Sequence, residues 1–176
     1  MAVSLGRFNN PSFEGGSPSA DRLPIVARQL LSAQLGQSSH FQVVEGEDTD
    51  GNRSKAALSA EIVLNPNSAY AIRGDINELG RKEIETQPIF GFFGQGQIQV
   101  AHARVTLYVV DTATSKVVRT VHGTGEHRLP EKAAMGSDNP ASLDAALDSS
   151  VLKLAIAEAV GQLTNALDSG AWRPAK

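Results

Sequence analysis

Residues Ala103 to His122 read ARVTLYVVDTATSKVVRTVH, and this stretch decides the fold. Val105, Leu107 and Val109 alternate with Arg104, Thr106 and Tyr108, which is the two-residue period of a strand with one face in a core. Asp111 to Lys116 is built of turn residues, and Val117 to His122 returns as a second strand, so the stretch predicts a hairpin. The first strand reaches back to Ile98. One of its faces is core, and the other is wet or covered by a partner.

Working outward toward the C-terminus, 128–141 reads as a loop, and Ser142 followed by Asp144 predicts the start of a long helix with acidic residues near its positive end. Leu143, Leu147, Val151, Leu154, Ala155, Ala159, Leu163 and Leu167 form one apolar stripe, and Gly170 closes it. Toward the N-terminus, Ala2 to Phe8 predicts a strand and Asn9 to Ala20 a long loop. Asp21 to Gly36 predicts a helix, with Leu23, Val26, Ala27, Leu30, Leu31 and Leu35 at helical spacing and Pro24 in its first turn. Phe41 to Val44 is a short strand, Ser54 to Leu64 a weaker helix, and Tyr70 to Leu79 another strand. This order predicts an α/β (α+β) sandwich, a mixed β-sheet flanked by helices. It reads as one domain, 1–176, with an irregular extension at 78–97 and the loop at 128–141.

Composition narrows the chemistry. The chain has 176 residues, a formal net charge of -3 and a pI near 5.8, and its basic residues are scattered, so nucleic acid is a poor partner. No apolar run approaches the roughly 20 residues of a membrane-spanning helix. The absence of cysteine removes disulfides, thiolate metal sites and a cysteine nucleophile, and it is what a lipoprotein trimmed past its lipid-carrying residue would show. MAVSLGRFNN carries no secretory signal. Neither G-x-S-x-G, H-E-x-x-H nor a phosphate-binding glycine loop is present, so the expectation is no catalytic residue, no cofactor and no enzyme activity. His102 and His127 share a face if the hairpin turn centres near Ala113 and Thr114, but two imidazoles without a carboxylate at fixed spacing do not make a metal site.

Pro88 to Gly96 reads PIFGFFGQG, with three phenylalanines among glycines. Three readings compete: buried core, the tip of a membrane hairpin, or a surface that another protein covers. The neighbouring ELGRKEIETQ places several charges where a membrane strand would need apolar residues, and each would cost roughly 2 to 4 kcal/mol at the bilayer midplane. Phe90, Phe92 and Phe93 therefore either fold back onto their own core or are covered by a neighbouring subunit. Together with Phe13 and Trp172 they are the candidate partner or oligomer interface. For Trp172 the alternative is packing on the sheet edge.

Several passages resemble the curli production assembly/transport (CsgG) family of bacterial envelope proteins. Val3-Ser-Leu-Gly-Arg-Phe8-Asn-Asn-Pro-Ser12 is similar to its first strand, and Leu23-Pro24 through Leu35 with Phe41 to Val44 is similar to its first helix and second strand. Tyr70 to Ile76, Phe92-Phe-Gly94-Gln-Gly96 and Ala103 to Val118 carry most of the likeness. The family's turn has a glycine where Ser115 stands and an acid where Lys116 stands. The resemblance implies a CsgG-like, TolB N-terminal-like fold in the periplasm at the outer membrane, with a lipid anchor upstream. It also implies a ring-forming homo-oligomer that works with other envelope assembly or secretion proteins in the export or assembly of a surface structure. A pore is not implied, because the loop 12–19 holds only Phe13 as an aromatic. The alternatives are a monomeric regulatory lipoprotein domain that activates an enzyme such as a peptidoglycan synthase, and an outer-membrane channel proper.

Overall fold

A computed structural model describes residues 1–10, 22–44, 68–85, 97–128 and 140–174. The helix expected over 54–64 lies outside them. Strands β1 (Ala2–Asn9), β2 (Gln42–Val44), β3 (Tyr70–Glu85), β4 (Gln97–Asp111) and β5 (Val117–Arg128) form one sheet in the order β2-β1-β3-β4-β5. β1 runs parallel to both β2 and β3, while β3, β4 and β5 are antiparallel, so the sheet is mixed as its sequence predicts. Helix α1 (Leu23–Gln37) crosses between the parallel strands β1 and β2, and α2 (Pro140–Asp168) lies over β5 and β4. The two helices touch each other and cover the same face.

The core lies between this face and the helices. On β4 the odd positions Ala101, Ala103, Val105, Leu107 and Val109 are buried, as the alternation requires. Val3, Tyr70, Ile72 and Ile76 extend the layer across β1 and β3. Helix α1 meets it with Ala27, Leu31 and Leu35, four residues apart. Helix α2 starts at Pro140, before the expected Ser142, and has no acid in its first turn. Its buried stripe holds Leu147, Val151, Ala155, Ala159 and Leu163, with Leu152, Ile156 and Val160 beside them, but Leu154 is 45% exposed. Leu154 stands at the edge of the sheet, near Gly125 of β5, and not over its centre.

Two strands run further than their patterns suggest. β3 continues through Leu79 to Glu85, and β5 runs past His122 to Arg128. Within the extension expected at 78–97, residues 78–85 and 97 are therefore strand, and 86–96 lie outside the described residues. β5 pairs with β4 only as far as Arg128 opposite Val100, whereas β3 and β4 stay paired to Glu85 opposite Gln97. The end of this hairpin is thus an arm of two strands, and the segment 86–96 connects them.

Candidate functional site

The face of the sheet turned away from the helices is mostly polar, although Ala71, Val100 and Val110 also stand on it, buried. Residues of β3, β4 and β5 at alternate positions share it: Arg73, Asp75 and Lys82, then His102, Arg104, Thr106 and Tyr108, then His122, Thr124 and Glu126. Two bulges set which residues meet. Asn77 is the extra residue between Ile76 and Glu78, and Val118 is the extra residue on β5 opposite Val109 and Val110.

Side chains on this face bond across strands. The Asn9 amide donates to Asp75 Oδ1 at 3.0 Å, and the Tyr108 hydroxyl is hydrogen-bonded to the same carboxylate. Burial, and then this carboxylate, push the Tyr108 phenol above its ordinary value. The Arg73 guanidinium carbon sits 4.9 Å from the centre of the Tyr108 ring, a cation–π contact, and its Nε is buried without a hydrogen-bond partner. At the bulge, Thr106 donates its single hydroxyl proton to Asn77 Oδ1 at 2.6 Å. The 3.0 Å contact between Thr106 Oγ1 and His122 Nδ1 therefore has the imidazole as donor. Further along, Arg104 pairs with Glu78 at 3.1 Å and Lys82 with Glu126 at 2.5 Å, around a shallow depression that His102, Ala103 and Thr124 also line.

The edge of the sheet at β5 is occupied by α2. Gly123 and Gly125 face the helix with no room for a side chain: a Cβ would lie 1.9 Å from the Ala155 carbonyl oxygen and 2.0 Å from that of Val151. The helix backbone therefore rests on the strand, close enough for its outer side chains to reach the edge. Glu158 Oε2 accepts from the Thr124 N–H at 2.6 Å and from its hydroxyl at 2.8 Å, and Gln162 donates to the His122 carbonyl at 2.8 Å. These bonds hold the carboxyl of Glu158 below its ordinary value. Outward-pointing backbone groups that could pair with another chain are capped there.

Of the candidate interface residues, Trp172 is 7% exposed and meets Tyr70 edge-on, with ring centres 5.6 Å apart. It is held inside the protomer, because Gly170 takes φ +70° and the Trp172 N–H returns to the Ala166 carbonyl at 2.9 Å. Trp172 is thus not an exposed aromatic, and it packs on Tyr70 of the central strand β3, not on the sheet edge. Phe13, Phe90, Phe92 and Phe93 lie outside the described residues. His102 and His127 do not share a face: His102 stands opposite Glu126, and His127 opposite Ala101. The bulge at Val118 is the cause, since a shift of one residue turns each later side chain of β5 to the other side. Among the described residues no group of three His, Asp or Glu is placed to hold a metal ion.

Sequence reading missed the Arg73–Tyr108–Asp75 cluster, although alternation in YAIRGD already places Arg73 and Asp75 on one face. It also missed the contact of α2 with β5, where glycines take the place of apolar side chains.

A mixed sheet with both helices on one face defines an α/β sandwich. No family model matches the chain. The chain is 34% identical over 175 residues, 98% of its length and 78% of the relative's, to the protein of Neisseria meningitidis serogroup B named "Putative lipoprotein NMB1126/NMB1164", and it belongs to that protein's family. Membership of a lipoprotein family places it in the cell envelope. The fold is similar to that of the hypothetical protein CT253 of Chlamydia trachomatis, at 12% identity and a TM-score of 0.51, covering 96% of this chain and 95% of that one. PelC of Paraburkholderia phytofirmans, which crystallises as a dodecamer, covers 90% of this chain and 85% of its own at 17% identity; its TM-score of 0.47 is too low to carry an argument here. The resemblance to the curli-transport family is overturned, because the relative that shows the family is a lipoprotein and not a curli channel. One of the passages behind that resemblance, Ala103 to Val118, is an alternating strand, a turn and a returning strand, a pattern that any antiparallel hairpin with one buried face produces.

Proposed function

We propose that the chain is a non-catalytic envelope subunit that acts by presenting surfaces to other proteins, as a homo-oligomer in the export or assembly of a surface structure at the outer membrane. The observation that carries this reading is the β3–β4 arm, which runs past the end of β5 and is joined by a segment holding three phenylalanines among glycines. A projecting hairpin with an apolar connection suits insertion against a neighbouring subunit, where burial at about 25 cal/mol per Å² would supply the association energy. The polar face supports the same reading, since its hydrogen bonds cross from strand to strand and hold a flat, partly exposed platform. Edge capping by Glu158 and Gln162 disfavours open-ended pairing through β5, so assembly would use the arm and not that edge.

Light scattering on the full chain over a wide concentration range tests this. The expected result is a discrete assembly of several copies. A monomer at every usable concentration would contradict it, and a monomer that captures and activates a peptidoglycan synthase would establish the regulatory alternative.

A further inference from the structure

The constellation at the root of the arm has no part in the reading above. His102 stands on β4 between Gly80 of β3 and Glu126 of β5. Its Cε1 lies 3.7 Å from where a Cβ on Gly80 would be, so the ring leans over the space that the glycine leaves. Its Nδ1 is buried and has no hydrogen-bond partner. Charged groups surround it from each strand of the face: Glu78 and Lys82 on β3, Arg104 on β4, and Glu126 and Arg128 on β5. Lys82 and Glu126 come from the two strands that flank β4, so their bond passes over β4 beside His102. It is a tie between the arm and β5 close to the point where β5 ends.

We propose that His102 is a proton-sensing residue that governs this tie: its imidazolium donates from Nδ1 to the Glu126 carboxylate and displaces Lys82, undoing the side-chain link between β3 and β5 at the root of the arm. With the neutral ring's proton on Nε2, Nδ1 presents only a lone pair, whose burial is tolerable, whereas the imidazolium brings a charge and an N–H at Nδ1 that require an acceptor. Glu126 is the acid directly across the ladder, and its carboxyl is already held below its ordinary value, chiefly by Lys82. Proton uptake adds a cation to a cluster in which Lys82 and Arg104 already match Glu78 and Glu126. Lys82 is the cation that leaves, since its ammonium sits on a flexible stem with the side chain 44% exposed, while Arg104 keeps Glu78. Among side chains it is imidazole that ordinarily changes charge between pH 5 and 8. His122 differs in its bonding, because its Nδ1 already donates to Thr106.

The test is an NMR titration of the full chain from pH 8 to 5, following the imidazole nitrogens, the Lys82 ammonium, the Glu126 carboxyl carbon and amide exchange at Lys82 and Glu83. The expected result is that the Lys82 and Glu126 signals shift with the midpoint of the His102 ring, and that exchange at both amides quickens by about twofold, as suits loss of an exposed ion pair. In H102Q these shifts are lost. Lys82 and Glu126 signals that stay constant through the His102 midpoint, or that follow the His122 midpoint, would overturn the proposal. So would a Lys82–Glu126 pair that tightens as His102 gains its proton. The wild-type midpoints decide the matter even if H102Q does not fold.

Discussion

Ser115 and Trp172 show how single residues set this structure. Ser115 takes φ +55° at the β4–β5 turn, which the Asp111 carboxylate holds by accepting from the Thr114 N–H at 2.8 Å. An L side chain in that region is strained by about 1 kcal/mol, part of which a glycine recovers after its larger unfolded-state entropy is counted. Ser115→Gly is therefore expected to raise the melting temperature by about 1 to 3 °C, read by calorimetry, and a fall would show that the serine is not strained. Trp172→Ala empties a buried site against Tyr70 and is expected to cost about 3 kcal/mol, lowering the melting temperature by about 6 to 12 °C. It should leave the mass of any assembly unchanged, and dissociation without loss of stability would return Trp172 to an interface.

At the scale of elements, the contact of α2 with β5 organises the sheet edge. Gly125→Ala places a Cβ against the Val151 carbonyl, which cannot move without the helix, so a loss of about 3 kcal/mol is expected in urea unfolding. An unchanged midpoint would mean that the helix does not rest on the strand. Glu158 is expected to link this contact to pH. Its folded carboxyl ionises below the ordinary value of 4.5, so the folded state binds fewer protons than the unfolded chain just below that pH. Its contribution is complete above pH 4.5 and is lost as pH falls through the lower, folded value. Glu158→Gln should thus unfold at lower urea than the wild type at pH 7, with the gap closing in acid; a gap that widens in acid would reverse the sign. The strands and the first helix were legible because Val105, Leu107 and Val109, or Ala27, Leu31 and Leu35, repeat at the period of their element. The far half of β5 was not, because its buried positions Gly123 and Gly125 carry no apolar signal and its exposed ones are polar. The polar face was half legible. Alternation puts Arg73 beside Asp75, but only the bulges at Asn77 and Val118 decide what stands across from them, and a bulge leaves no mark in hydrophobic patterning.

For the whole molecule, one side of a mixed sheet is closed by two helices and the other presents a bonded polar platform. One sheet edge is capped at His122 and Thr124, and an arm projects past the shortest of its three antiparallel strands. That division of labour, in a lipoprotein family of the envelope, suits a subunit whose free energy of action is burial between molecules. The most direct test is sedimentation velocity of Phe92→Asp beside the wild type, with thermal melts of both. The account expects a wild-type assembly that the substitution dissociates while the melting temperature of the protomer holds. A variant that melts several degrees lower, with the same sedimentation as a wild-type monomer, would show that Phe92 serves the protein's own core and would contradict it.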